Sequence, residues 1–199
     1  MPMKALIIGH SYVRDLRSFL KHESEVILPT GNSVELVYSF VPGATFETFL
    51  DRPEILDNSV YLNPDIVIVI LGGNDLKSDV DLSFVKDKCY HFFKILKSKF
   101  PEAILIGSQI ESRFVEHEDK YARFGTPHTE EFNRLSTYFN SWLNKQKFKD
   151  RLFCIRGPNK LDNRLFYKDS VHLNEKGLEK YVELLKICLD NTCVKYFQN

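Results

Sequence analysis

Four short stretches of this 199-residue chain carry residue types suited to acyl-transfer chemistry. They are Gly9-His10-Ser11, Pro42-Gly43-Ala44, Gly72-Gly73-Asn74-Asp75 and Asp169-Ser170-Val171-His172. A serine hydroxyl is a weak nucleophile until a base takes its proton. The base is usually histidine, and an acid must hold its ring in one tautomer. The tetrahedral intermediate then needs preset N–H donors for its oxyanion. Ser11 is the candidate nucleophile, His172 the candidate base and Asp169 the candidate orienter. The three-residue step from Asp169 to His172 works only if the segment turns, because an extended chain would separate them by about 10 Å. Candidate oxyanion donors are the backbone N–H groups of Ser11 and Gly43 and the side-chain amide of Asn74. Gly43 has no side chain to block a substrate approaching its N–H.

An alternation of strands and helices must position these residues. Residues 4–9 are an apolar run ending in Gly9, residues 65–71 one that leads into Gly72-Gly73, and residues 34–41 are rich in β-formers ahead of Pro42-Gly43. Residues 103–107 and 152–155 supply two more strands. Helical spacing recurs over residues 13–22, again through Val85, Cys89, Phe92, Phe93, Leu96 and Phe100, and again through Phe132, Leu135, Phe139, Trp142 and Leu143. A last helix carries Leu178, Tyr181, Val182, Leu185 and Cys188, with Asn174 as its N-cap. Runs apolar on both faces belong to parallel sheets covered by helices. Alternating strands and helices imply βαβ units whose right-handed crossovers put helices on both faces. In such a sheet the strand tips share one edge, and ligands sit beyond it. Residues 111–128 are polar and lack periodicity, which predicts either a flap over the site or a plain surface loop. Arg113 and Phe114 are the flap residues able to reach substrate.

Composition bounds the class. Apolar residues make up 43% and charged residues 27%, as in an ordinary soluble globule. The length suits one domain over residues 1–199. The 27 Lys and Arg balance 27 Asp and Glu, and no basic run is present, which argues against nucleic-acid binding by this chain alone. The longest apolar run, residues 66–71, is too short to span a membrane. No secretory leader is visible, since only four apolar residues separate Lys4 from Gly9. Cys89, Cys154, Cys188 and Cys193 lack Cys-x-x-Cys spacing, and three fall in apolar patterns. They read as reduced core thiols in a cytoplasmic protein, with a Cys188–Cys193 bridge as the alternative.

The four blocks, in this order and at this spacing, resemble the SGNH/GDSL hydrolase superfamily. Gly9-His10-Ser11 resembles its Gly-Asp-Ser block, Gly43 its glycine block, Gly72-Gly73-Asn74-Asp75 its Gly-x-Asn-Asp block, and Asp169-Ser170-Val171-His172 its Asp-x-x-His block. Each block alone is weak, and four in order at strand tips and pre-helix turns are specific. The resemblance implies a three-layer α/β/α sandwich with a five-stranded parallel sheet in the flavodoxin-like order 2-1-3-4-5. It also implies esterase, lipase or deacetylase activity on a small-molecule, glycan or lipid ester, through a Ser-His-Asp triad and without metal or cofactor. The histidine inside the first block is similar to esterase-like domains of some retroelement-encoded proteins.

His10 departs from the family's usual aspartate. It exchanges an anion beside Ser11 for a titratable, mostly neutral imidazole. That departure motivates a rival reading, a catalytically weak SGNH-like module that binds an ester, glycan or protein. His10 itself is expected to reach substrate rather than the Ser11 hydroxyl. Singly, each residue has a plainer explanation. Ser11 reads as a helix N-cap, Asn74 and Gly43 as turn residues, and Asp169 with His172 as a surface turn. The other histidines compete poorly as bases. His22 and His91 fall in helices without an acid placed like Asp169. His117 and His128 lie among loop acids without a recognised metal-ligand spacing. A flavodoxin-like nucleotide site is disfavoured, because no phosphate-binding glycine loop follows any strand.

Overall fold

The computed structural model describes residues 2–21, 25–60, 62–77, 79–113, 126–146, 152–155, 163–169 and 171–197. Among them are the strands β1 (Met3–Gly9), β2 (Glu25–Ile27), β3 (Ser33–Phe40), β4 (Ile66–Ile70), β5 (Ile104–Ser108) and β6 (Leu152–Ile155). The α-helices are α1 (Ser11–Phe19), α2 (Phe46–Asp51), α3 (Asp57–Val60), α4 (Leu82–Lys99), α5 (Thr126–Leu143) and α6 (Glu175–Phe197).

The strands form one sheet in the order β2-β3-β1-β4-β5-β6. All neighbouring pairs are parallel except β2 with β3. The expectation of a five-stranded, all-parallel sheet is thereby corrected to a mixed sheet of six. The five expected strands keep the expected order among themselves, and the antiparallel β2 extends the edge. β2 is three residues long with only Val26 buried, too short to show a period of two. A tight turn joins it to β3, where the Leu28 N–H donates to the Asn32 carbonyl at 2.8 Å.

The unbroken apolar runs follow from burial on both faces. Along β4, Val67 and Val69 pack toward Phe92, Phe93 and Phe139 of α4 and α5. Their neighbours Ile66, Ile68 and Ile70 pack toward Leu16 of α1 and Tyr181 and Leu185 of α6. β1 divides the same way, with Leu6 and Ile8 on one side and Ala5 and Ile7 on the other. A strand covered on both faces has no position left for a polar side chain. The result is three layers, with α2, α4 and α5 on one face and α1 and α6 on the other. The Asn174 Oδ1 accepts the Gly177 N–H at 3.1 Å, the cap expected for the last helix.

No helix among the described residues is long and apolar enough to cross a membrane. Cys89, Cys188 and Cys193 are free thiols, so the alternative Cys188–Cys193 bridge is not formed. The Cys154 side chain lies outside the described residues.

Candidate active site

The site begins at the tip of β1. His10 stays extended at φ −100° and ψ −150°, and its Nδ1 accepts the Tyr12 backbone N–H at 3.3 Å. His10 therefore caps α1, and Ser11 is the first helical residue rather than the cap. The Ser11 hydroxyl is left for another partner, and its Oγ lies 3.1 Å from His172 Nε2.

His172 arrives on the segment before α6. Asp169 Oδ1 accepts the backbone N–H groups of both Val171 and His172 at 3.0 Å, which makes the turn that the three-residue spacing requires. Its other oxygen, Oδ2, lies 2.6 Å from His172 Nδ1. Burial works to raise the Asp169 carboxyl, but the hydrogen bonds from the His172 ring and the turn backbone outweigh it and hold the group below the ordinary carboxylate value. Two further contacts fix the segment. The Tyr167 N–H donates to the His172 carbonyl at 2.8 Å, and the Tyr12 hydroxyl donates to the Val171 carbonyl.

The other two blocks reach the same edge from β3 and β4. Gly43 has φ +75°, and a Cβ built there would meet no atom within 4 Å. Asn74 Nδ2 donates to the Ala44 carbonyl at 3.0 Å, which commits one of its two N–H bonds and leaves the other. Asp75 turns inward and accepts the Phe46 N–H at 3.1 Å and 3.3 Å, tying the β4 tip to the start of α2. Burial pushes its carboxyl up to about 6, against the pull of that N–H and of Lys88.

Ser11, His172, Gly43 and Asn74 all line one cavity of about 290 Å³, and so do His10 and Arg113. His10 is buried, and desolvation, followed by His172 and Arg113, lowers its ring to about 4. Arg113 donates from Nη2 to the Gly73 carbonyl at 3.0 Å and stacks 3.7 Å above the Phe132 ring. Asn133 of α5 clasps its backbone, accepting its N–H and donating to its carbonyl at 2.8 Å each. Phe114 lies outside the described residues, as does most of the expected flap; its last residues, 126–128, begin α5.

The competing histidines stand apart from this cavity or outside the described residues. His91 has an acid neighbour after all, Asp87 Oδ2 at 3.3 Å, but the pair sits exposed on α4. His128 is exposed on α5, and His22 and His117 are outside the described residues. Among the described residues no group of three or more His, Cys, Asp or Glu side chains could hold a metal ion. The sequence placed Glu111 only as the first residue of the expected flap, with no role in the site. Glu111 lines the same wall, and burial raises its carboxyl to about 8. Its position three residues past β5, at the edge where the other tips gather, is the signal that could have found it.

No family model matches the chain, and no curated protein does. Solved structures are similar over nearly its whole length. A GDSL-like lipase from Bacteroides thetaiotaomicron superposes with a TM-score of 0.65 at 14% identity, over 95% of this chain and 88% of that one. A lipase/acylhydrolase from Enterococcus faecalis gives 0.61 at 15% identity, over 96% of each chain. The fold is that of the GDSL-like hydrolases. A carbohydrate esterase family 3 structure from Talaromyces cellulolyticus has it too, with a TM-score of 0.66 at 13% identity over 97% of this chain and 99% of that one. At such identities the likeness is one of fold. In this GDSL-like fold, chemistry has to be argued from the cavity at the strand tips, residue by residue.

Proposed function

We propose that the chain is a serine hydrolase of carboxylic esters, acting on short acyl or acetyl groups through an acyl-enzyme. The observation that carries this reading is the continuous contact from Ser11 Oγ to His172 Nε2 at 3.1 Å and from His172 Nδ1 to Asp169 Oδ2 at 2.6 Å. Ser11 attacks the ester carbonyl while His172 takes its proton. The oxyanion is met by the N–H groups of Ser11 and Gly43 and by the uncommitted N–H of Asn74. His172 returns the proton to the departing alkoxide, and the alcohol leaves. Water, deprotonated by His172, then attacks the acyl-enzyme, and Ser11 recovers its proton as the acid departs. Asp169 holds the ring tautomer and steadies the imidazolium throughout.

The cavity volume supports a small acyl group, since about 290 Å³ is at the low end for ligand pockets. The named activities of the similar structures, lipase/acylhydrolase and carbohydrate esterase, support an ester substrate of small-molecule or carbohydrate type. We read residues 1–199 as one domain that performs this chemistry without metal or cofactor, without binding nucleic acid, and in the cytoplasm. The rival reading is a binder that turns over little. A fluorophosphonate separates the two, because Ser11 Oγ displaces fluoride from phosphorus only if His172 activates it. Labelling of wild type but not of Ser11→Ala supports the hydrolase, together with a loss of about 10⁶-fold in kcat on aryl acetates. Unlabelled folded protein, or unchanged turnover by Ser11→Ala, sinks it.

A further inference from the structure

The segment that leaves β5 is held by two asparagines of α5. Asn140 Oδ1 accepts the Ile110 N–H at 2.8 Å, and its Nδ2 donates to the Ile110 carbonyl at 2.9 Å. Asn133, about two helical turns earlier, holds Arg113 in the same way. Each amide stands in for a neighbouring strand, pairing one N–H and one C=O of the departing chain.

The pinned segment bears on the Gly72-Gly73-Asn74 block at two places. A Cβ on Gly72 would lie 2.7 Å from Ile110 Cδ1, so the Ile110 side chain packs where only a glycine leaves room. Arg113 Nη2 donates to the Gly73 carbonyl at 3.0 Å, with the guanidinium laid on the Phe132 ring.

That carbonyl belongs to a peptide with two available orientations. The Asp75 N–H donates to the Gly72 carbonyl at 3.0 Å and closes a β-turn whose central residues are Gly73 and Asn74. The closing bond joins the ends of the turn and does not engage the central peptide. Types I and II differ by a flip of that peptide, which reverses its carbonyl and takes φ of the second central residue from about −90° to about +80°. Asparagine is one of the few residues that accepts the second arrangement. A Gly-Asn centre therefore leaves the choice open. In the structure neither Gly73 nor Asn74 has a positive φ, so the turn is on the type I side. The bond from Arg113 holds the carbonyl of this orientation, and a flip would carry it away from the guanidinium. The consequence falls on Asn74, whose amide donates to the Ala44 carbonyl at 3.0 Å. A rotation of that size in φ re-aims the Asn74 side chain, both toward Ala44 and toward the oxyanion.

We propose that Arg113 is a positioning residue for the oxyanion donor Asn74: its guanidinium, anchored through Asn133 and Phe132, holds the Gly73–Asn74 peptide against a flip. This deepens the serine-hydrolase reading and rests on it for the role of Asn74.

The test is a double-mutant cycle in aryl acetate hydrolysis, with Arg113→Met, Asn74→Ala and the two together. Arg113→Met keeps an unbranched stem over Phe132 and removes the donor. Asn74→Ala is expected to lower kcat by about 10²-fold or more. Arg113→Met lowers kcat at least tenfold with KM within about threefold of wild type. In the Asn74→Ala background the same change costs no more than about threefold, because the group it positions is gone. Asn133→Ala lowers kcat as well and adds nothing to Arg113→Met. Multiplying losses in the Asn74 cycle overturn the proposal. So does Arg113→Met with raised KM and unaltered kcat, which would make the guanidinium a substrate contact.

Relaxation dispersion at the Asn74 and Asp75 backbone amides reads the flip without substrate. These amides are quiet in wild type, and in Arg113→Met they show millisecond exchange or a second set of resonances. Should Arg113→Met fail to fold, Asn133→Ala takes its place in both measurements. If wild type hydrolyses no aryl acetate, the hydrolase reading falls and the amide spectra alone decide the role of Arg113. Hydrolysis with multiplying losses and equally quiet amides leaves the hydrolase standing and removes that role.

Discussion

The residue before the candidate nucleophile caps the helix that carries it, because His10 Nδ1 accepts the Tyr12 N–H at 3.3 Å. Aspartate, the usual residue of the resembling family, is itself a good N-cap. The substitution therefore preserves the capping bond while removing the charge. It also leaves a buried ring whose proton affinity in the fold, about 4, lies below its ordinary 6.5. A depressed value means that the unfolded chain binds a proton the folded chain refuses. Stability from this group is present above pH 6.5 and is lost as pH falls toward 4. The loss amounts to on the order of 3 kcal/mol. His10→Asn, which keeps an acceptor for Tyr12, is expected to flatten this part of the curve. Urea midpoints for both proteins from pH 7 to pH 4 check it, and parallel curves would count against it.

Tyr12 links the nucleophile's helix to the base's turn. Its hydroxyl donates to the carbonyl of Val171, the residue before His172, and its ring lies 6.0 Å from the His172 ring. Tyr12→Phe keeps the ring and removes the bond. We expect a stability loss of about 1 kcal/mol. We also expect a fall in kcat larger than that loss explains, with KM little changed, because the Ser11–His172 distance is no longer fixed. Equal kcat in both proteins would show that the contact is structural only.

Asp169 does two jobs with its two oxygens. Oδ1 makes the turn and Oδ2 holds the imidazole. Asp169→Asn retains an oxygen for the turn but offers either a mismatched N–H or no negative charge to the ring. The expected result is near-wild-type stability with kcat down by about 10⁴-fold, the scale seen when a triad acid becomes an amide. Thermal unfolding and aryl acetate kinetics separate the two effects. A variant that unfolds but, when folded, works normally would contradict this division of labour.

The sequence revealed these relationships unevenly, for physical reasons. β1, β4 and β5 are buried on both faces, so their apolar runs are unbroken and their glycine or polar ends stand out. Those ends proved to lie on one edge, and Asp169 to turn onto His172, because parallel strands and an Asp-made turn leave few alternatives. β2 escaped notice because three residues carry no period, and α2 because a six-residue helix shows hardly more than one turn of apolar spacing. Glu111 escaped because its meaning depends on burial. A glutamate in a polar stretch reads as solvated, and only the packing of β5 against α5 and α6 makes it a cavity wall.

That burial gives Glu111 a signature at the alkaline side. Its folded value of about 8 exceeds its ordinary 4.5. The folded protein holds a proton that the unfolded chain releases. Stability is full below pH 4.5 and declines as pH rises through 8, by at most roughly 5 kcal/mol. Glu111→Gln cannot ionise, so its melting temperature is expected to overtake that of wild type progressively between pH 5 and 9. A difference between the two that does not change with pH would mean that the carboxyl is solvated.

Two glycines of the site should respond to the same substitution in opposite ways. A Cβ on Gly9 would lie 2.3 Å from the Ile70 carbonyl oxygen and 2.7 Å from Val13 Cγ2. Backbone cannot step aside there, because Gly9 pairs with Ile70 across the centre of the sheet. Gly9→Ala is expected to cost about 3 kcal/mol or more, read as a lowered urea midpoint. Gly43 has open space around it, and its φ of +75° charges an alanine only about 1–2 kcal/mol of strain. The new methyl or the relaxed backbone instead disturbs the N–H offered to the oxyanion, and kcat should drop by 10²-fold or more, the scale for losing one such donor. Gly43→Ala with unaltered kcat would remove that N–H from the oxyanion site. Gly9→Ala with unaltered stability would mean that β1 and β4 do not approach as closely here as the packing requires.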